Sequence, residues 1–180
     1  IVKFHEIGMN DLYVAVNVSP QQILSQKLVF HVEEALRKYQ VPASLLVLEV
    51  TESVCIEDTV TTFNALQMIS DLGVRLAVDD FGTGYSSLSY LKQYPFDILK
   101  IDRAFIDQLP DDVDDVVLVN AMIAMGQSLG LRIVAEGVET QNHAGFLKEK
   151  KCDYLQGYYY SKPLPFDDFI AFNHKHNKIA

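Results

Sequence analysis

The sequence predicts an α/β fold, a TIM-like (β/α)8 barrel of which about six βα units are visible. Three observations carry that expectation. Short apolar runs rich in β-branched residues alternate with longer stretches of helical period, the pattern of buried parallel strands joined by crossover helices. Each run then meets a polar or ionisable residue near its C-terminal end, on the rim where parallel barrels build their sites. Finally, 180 residues fall short of the roughly 250 of a full barrel, in step with a strand count two short of eight. Right-handed crossovers leave a closed barrel or a doubly wound sheet as the candidate architectures.

The elements follow in order. Residues 13–18 form the first predicted strand, and Ser19 is placed to cap a helix running through Leu28, Val32 and Leu36. Residues 45–50 form the second, followed by a helix with Phe63, Leu66 and Ile69 that stops near Gly73. The third, 74–78, opens into the glycine-containing loop from Phe81 to Ser87 and a short helix around Leu88 and Leu91. Residues 98–101 are the fourth, and the helix bearing Val116, Val119 and Ile123 ends near Gly130. Residues 131–135 are the fifth, with Thr140 positioned to cap the next helix. A brief sixth covers 154–156, and a last helix begins near Pro165. The acidic run Asp111, Asp112, Asp114, Asp115 reads as a loop and helix N-terminus, where negative side chains suit the helix dipole.

Composition narrows the function. With 49% apolar residues the chain supports one real core. A formal net charge of −9 argues against a general affinity for DNA or RNA, which needs basic surface to neutralise phosphates. A small phosphorylated ligand stays open, because a bound divalent cation reverses the local field. Cys55 and Cys152 lie far apart without metal-ligand spacing, so no disulfide framework is expected and a cytoplasmic setting fits. No apolar run reaches the length of a membrane span, and no signal peptide opens the chain. A start at Ile1, without methionine, suggests a piece of a longer polypeptide.

The polar residues at the strand ends are Asn17, Glu49, Asp79 with Asp80, Lys100, Glu136 and Gln156, one position per strand. Singly, each has a plainer role. Asp79 and Asp80 could cap a turn, Glu49 and Glu52 could be a surface pair, and Lys100 could be exposed or pair with Asp102. Asn17 could belong to a turn, Glu136 could be a solvated loop carboxylate, and Gln156 could bond loop backbone. His5, His31 and His143 have no identifiable partner and read as surface residues. Their joint placement favours one site, since burying so many charges apart from partners is costly and a shared cation offsets it. Carboxylates and an amide oxygen are hard donors, suited to magnesium, manganese or calcium rather than zinc. Adjacent aspartates on a regular strand point to opposite faces. A turn starting at Asp80 would aim both inward and hints at a two-metal site for phosphoryl transfer.

Leu48-Glu49-Val50-Thr51-Glu52-Ser53, the run from Asp79 to Ser87, Leu99-Lys100-Ile101-Asp102, Val134-Ala135-Glu136-Gly137-Val138-Glu139 and Gln156-Gly157-Tyr158 resemble successive motifs of EAL domains. Val16-Asn17-Val18-Ser19 and Ser161-Lys162-Pro163-Leu164 fit the same series in order. The resemblance implies a cyclic di-GMP phosphodiesterase that yields linear pGpG. It implies that Asn17, Glu49 and Asp79 hold one ion and that Asp79 with Asp80 reaches a second. Mg2+ or Mn2+ would be active, and Ca2+ would bind but support the reaction poorly. Lys100 would contact the nucleophilic water or the metal cluster, and Glu136 would ligate there or act as general base. Gln156 would assist water or metal positioning, Glu52 would anchor the glycine-containing loop, and Asp102 and Glu139 would support the ligands from behind. The same resemblance implies a homodimer formed near that loop and its following helix, and a sensory or GGDEF domain upstream.

The Glu-Ala-Leu tripeptide that names the family has no counterpart at the expected place. Glu34-Ala35-Leu36 spells it inside a predicted helix, as a coincidence with Leu36 packing inward. Residues 1–180 are therefore expected to be the C-terminal three-quarters or so of the domain, with the first strands before Ile1. Two other readings stay open. One is a catalytically impaired EAL-like domain that acts as a cyclic di-GMP receptor or a protein-interaction module. The other is a proton-abstraction barrel with one essential metal, which has no use for the Asp79-Asp80 doublet.

Overall fold

The structure, a computed structural model, describes residues 1–25, 27–55, 59–84 and 89–176. Tyr85, Ser86, Ser87 and Leu88 of the predicted loop and helix lie outside the described residues. Six strands, β1 (Val14–Asn17), β2 (Leu46–Thr51), β3 (Arg75–Phe81), β4 (Ile98–Ile101), β5 (Arg132–Ala135) and β6 (Tyr154–Leu155), lie side by side in chain order. Every neighbouring pair is parallel, so each connection crosses over one face of the sheet. Helix α1 (Val2–Glu6) precedes the sheet; α2 (Pro20–Leu24), α3 (Lys27–Tyr39), α4 (Thr59–Asp71), α5 (Ser89–Gln93), α6 (Val113–Ser128) and α7 (Gln141–Glu149) lie in the crossovers; and α8 (Phe166–His176) follows β6.

The predicted caps form. Ser19 and Gln22 make a reciprocal capping box at α2, Asp112 accepts from the N–H groups of Asp114 and Asp115 at α6, and Thr140 accepts from His143 N–H at α7. Several strand ends shift by one residue from the predicted bounds, and three differences are larger. The single helix predicted after β1 is two, because Ser25 is extended and its hydroxyl donates to Gln22 O at 2.8 Å. Helix α1 carries no cap signal and was not foreseen; Phe4 ties it to Phe166 and Phe169 of α8 at centroid distances of 5.3 and 5.6 Å. Strand β3 continues three residues beyond the predicted 78, for a reason that bears on the site.

Side chains alternate between the two faces of the sheet. On the outer face Leu48, Val50, Leu76, Val78, Leu99 and Ile133 pack under the helices with Leu66, Ile69, Val119, Ile123 and Leu147. On the inner face Val47, Ala77, Ile98 and Val134 form a smaller cluster with Tyr13. Full burial of each large aliphatic side chain contributes about 1.5–3 kcal/mol. The Tyr13 and Tyr154 rings meet edge-on, 6.3 Å apart. The sheet therefore curls until its first and last strands approach on the inside, an open barrel wall. Among the described residues no helix is long and apolar enough to cross a membrane.

Candidate functional site

The strand register brings the predicted residues to one rim. Glu49 on β2, Asp79 on β3 and Lys100 on β4 share the parity of the inner-face cluster, and Glu136 follows β5 with the same parity. Lys100 Nζ lies 2.9 Å from Glu49 Oε1, from Asp79 Oδ1 and from Glu136 Oε1. The lysine side chain is only 5% exposed. The exposed-lysine reading, and pairing with Asp102, are thereby replaced by a three-way ion pair on four consecutive strands.

Asp80 joins this cluster through a β-bulge. Between Val78 and Phe81 the chain of β3 advances three residues while its partner β4 advances two, from Leu99 to Ile101. Asp80 takes up the extra residue with φ +54, a left-handed conformation that aspartate tolerates better than bulky residues do. The predicted turn at Asp80 is thus a bulge within the strand. Carboxylate oxygens of Asp79, Asp80 and Glu136 all lie within 4.8 Å of one another. Four carboxylates face a single ammonium.

The electrostatics follow from that imbalance. Burial disfavours the charged lysine, yet hydrogen bonds to Asp79, Glu49 and Glu136 outweigh it and hold its pKa above the ordinary value. Glu136 is pushed above the usual carboxylate range by burial and by Asp79 and Glu49, although Lys100 opposes the shift. The two directions are compatible because one positive charge is divided among three negative ones. Asp80 is also raised, first by burial and then by the nearby Asp79 and Asp102 carboxylates. Removal from water and crowding by like charge are what a hard divalent cation relieves.

The remaining predicted residues lie around this centre. Asn17 is the register partner of Glu49 and is exposed at the end of β1. Glu52 is buried and its Oε2 accepts from Gly82 N–H at 3.1 Å, which joins it to the start of the glycine-containing loop. Asp102 caps a short 3-10 turn by accepting from Ala104 N–H. Glu139 pairs with Arg103 at 3.1 Å and is not one of the three clustered carboxylates. Gln156 is exposed, and its backbone accepts from Val138 N–H at 3.0 Å. Beside Glu136 opens a cavity of about 510 Å³ lined by Arg103, Glu136, Glu139, Gln156, Tyr158 and Lys162 among others. Its size is that of a small-ligand pocket. Glu34-Ala35-Leu36 lies in α3, with Leu36 packed against the core.

Two residues escaped the sequence reading. His143, expected at the surface, is buried, and its Nδ1 accepts from Glu139 N–H at 3.3 Å. The Thr140-to-His143 spacing of a helix N-terminus was the available signal. Arg103 clamps Asp107 and Glu139 at 3.0 and 3.1 Å, and nothing in its local sequence announces the second contact. The Cys152 thiol is pushed up to about 11 by burial, which leaves it no thiolate chemistry near neutral pH.

Comparison with known proteins agrees with this geometry. The family profile described as "EAL domain" matches residues 2–163. Over 161 residues the chain is 45% identical to the cyclic di-GMP phosphodiesterase NbdA of Pseudomonas aeruginosa, covering 89% of this chain and 21% of that protein. Over 164 residues it is 44% identical to the bifunctional diguanylate cyclase/cyclic di-GMP phosphodiesterase MucR of the same organism, covering 91% of this chain and 24% of that one. The chain thus spans about a fifth to a quarter of the length of these relatives. The solved MucR phosphodiesterase in complex with c-di-GMP superposes with a TM-score of 0.89 at 43% identity, covering 93% of this chain and 68% of that one. The EAL domain of Mycobacterium smegmatis DcpA gives 0.91 at 38% identity, covering 97% and 78%. Six parallel strands in a TIM-like wall, an acidic cluster on their C-terminal rim, and a profile match over most of the chain lead to one conclusion: the chain belongs to the EAL domain family.

Proposed function

We propose that the protein hydrolyses one phosphodiester bond of cyclic di-GMP to give linear pGpG, using divalent cations held at the strand ends. The observation that carries the reading is the meeting of Glu49, Asp79, Asp80 and Glu136 around one lysine. The donor set fits a hard cation: oxygen ligands, excess negative charge, and three carboxylate oxygens within 4.8 Å of one another. Asp79, Asp80 and Glu136 would hold one ion, with Glu49 and Asn17 extending the set towards a second. When bound, Mg2+ or Mn2+ supplies an acidified water and neutralises charge on the phosphate.

The chain's own residues do the rest. Lys100 keeps Glu49, Asp79 and Glu136 converged, so little reorganisation is needed as charge develops. Lys100 holds Oε1 of Glu136, which would leave Oε2 to reach the ion. Glu52 fixes Gly82 at the start of the loop that borders the site. Gln156 and Tyr158 line the cavity beside Glu136, where a nucleotide base of the substrate is accommodated. Ca2+ would be held by the same oxygens, with a looser coordination less suited to the reaction.

The resemblance places a homodimer contact near the glycine-containing loop and the helix after it; the exposed apolar face of α6 favours pairing there instead. Residues 116–128 carry no charge, and Val113, Val117 and Leu118 are exposed there. Antiparallel pairing keeps the two Asp112, Asp114, Asp115 clusters apart, and an uncharged face suits a copy of a protein whose net charge is −9. Upstream sensory or GGDEF segments are part of the same proposal.

The test is incubation of the protein with cyclic di-GMP and Mn2+, followed by chromatography for pGpG. Product in the wild type and none in Glu136→Gln supports the hydrolase. Binding without product selects the receptor instead, and no binding refutes both.

A further inference from the structure

Helix α7 opens with an unusual capping box. Thr140 Oγ1 accepts from His143 N–H at 3.1 Å, the ordinary half of the motif. In the ordinary reciprocal half, a Glu or Gln at the third helical position reaches back to the N–H of the capping residue. Here that position holds His143, and its Nδ1 accepts from the N–H one residue earlier, on Glu139, at 3.3 Å. An accepting Nδ1 requires the neutral ring with its proton on Nε2. The box therefore reaches out of the helix into the turn 136–139 that carries Glu136.

From within, that turn is anchored by the fully buried Val138 side chain. Gly137 sits at φ +68 without a side chain. Besides Tyr159 N–H, which donates to Val138 O at 2.9 Å, four outside contacts support the turn. Glu136 N–H donates to Ile101 O at 3.1 Å and Val138 N–H to Gln156 O at 3.0 Å, while Arg103 grips the Glu139 carboxylate and His143 accepts the Glu139 N–H. Gly157 lies so close to the Val138 backbone that a Cβ there would collide with it. The turn of Glu136 and the segment of Gln156 are thus bonded and packed directly together, and a displacement of the turn moves both.

We propose that His143 is a positioning residue: its imidazole completes an extended capping box that fixes the 136–139 turn, and with it Glu136 and Gln156. The catalytic consequence rests on the phosphodiesterase reading; the effect on the turn and on metal affinity does not. The test compares His143→Leu, which removes the acceptor, with His143→Gln, which restores the ordinary side chain of a capping box. Three quantities are read: amide hydrogen exchange at Glu139 by NMR, Mn2+ affinity by calorimetry, and kcat and KM for cyclic di-GMP.

In His143→Leu the Glu139 amide exchanges at least about tenfold faster, and Mn2+ binds about tenfold or more weakly, the usual scale for losing a group that orients a metal ligand. The value of kcat falls by a similar factor with KM nearly unchanged, and His143→Gln recovers all three. The proposal is overturned if His143→Leu keeps its Mn2+ affinity and kcat despite an exposed Glu139 amide. It is equally overturned if the Gln variant, folded by circular dichroism, stays as impaired as the Leu variant. Should the wild type bind Mn2+ yet release no pGpG, the phosphodiesterase reading fails alone, and the exchange and affinity measurements still decide the role of His143.

Discussion

Replacing Lys100 by methionine keeps most of its volume and removes the charge on which three carboxylates converge. Two oxygens each 2.9 Å from one nitrogen lie at most about 6 Å apart, where like charges repel by about 3 kcal/mol at an effective dielectric constant near 20. Breaking a buried ion pair from one side costs about 3–5 kcal/mol, and proton uptake by the carboxylates keeps the loss near that range rather than the sum of three repulsions. At about 2–4 °C per kcal/mol for a chain of this size, the unfolding midpoint in EDTA at about pH 7.5 falls by roughly 6–20 °C. At about pH 5 the loss is smaller, because protonation does part of what the ammonium did. Saturating Mn2+ returns about 2.7 kcal/mol at a hundredfold excess over its dissociation constant. Thermal unfolding followed by circular dichroism, with EDTA or Mn2+ at both pH values, measures each term. A midpoint in EDTA within a degree of wild type, or an equal loss at both pH values, refutes the account of Lys100 as the counter-ion of the site.

Glu52→Ala strips the acceptor from Gly82 N–H and costs about 1–3 kcal/mol; denaturant unfolding gives the loss, and pGpG formation falls with it. The pH dependence of the metal-free protein has a definite sign. Asp80 and Glu136 are raised above 3.8 and 4.5, so the folded state binds more protons than the unfolded one just above those values. Stability is therefore lost as pH rises through that window, the unfolding midpoint in EDTA drops from about pH 5 towards about pH 7, and Mn2+ reduces the drop. Asp153 runs the other way: burial raises it, but Ile133 N–H and Arg132 prevail and lower it, so its contribution is present above 3.8 and disappears only in stronger acid. Val117→Glu on the exposed face of α6 changes monomer stability by no more than about 0.5 kcal/mol but converts a dimer to a monomer in light scattering. A wild type that is already monomeric removes the α6 proposal.

The wall of parallel strands and the identity of the charged residues were legible in the sequence, because both depend on local order. Apolar runs such as 46–48 and 98–99 bury on either face whatever their neighbours, and a polar residue placed next in each run reaches the same rim in every unit. Caps at Ser19, Asp112 and Thr140 were equally local, since donor and acceptor lie within three residues. What the tertiary structure alone decided is the pairing of those charges. Lys100 meets Glu49, Asp79 and Glu136 across three other segments because parallel register sets their heights. Asp80 joins them only because β3 gains a residue against β4, a property of the ladder and not of either strand. The Arg103–Glu139 pair was missed for the same reason, since its partners come from segments far apart in the chain, whereas His143 bonds within four residues and its capping position was legible locally.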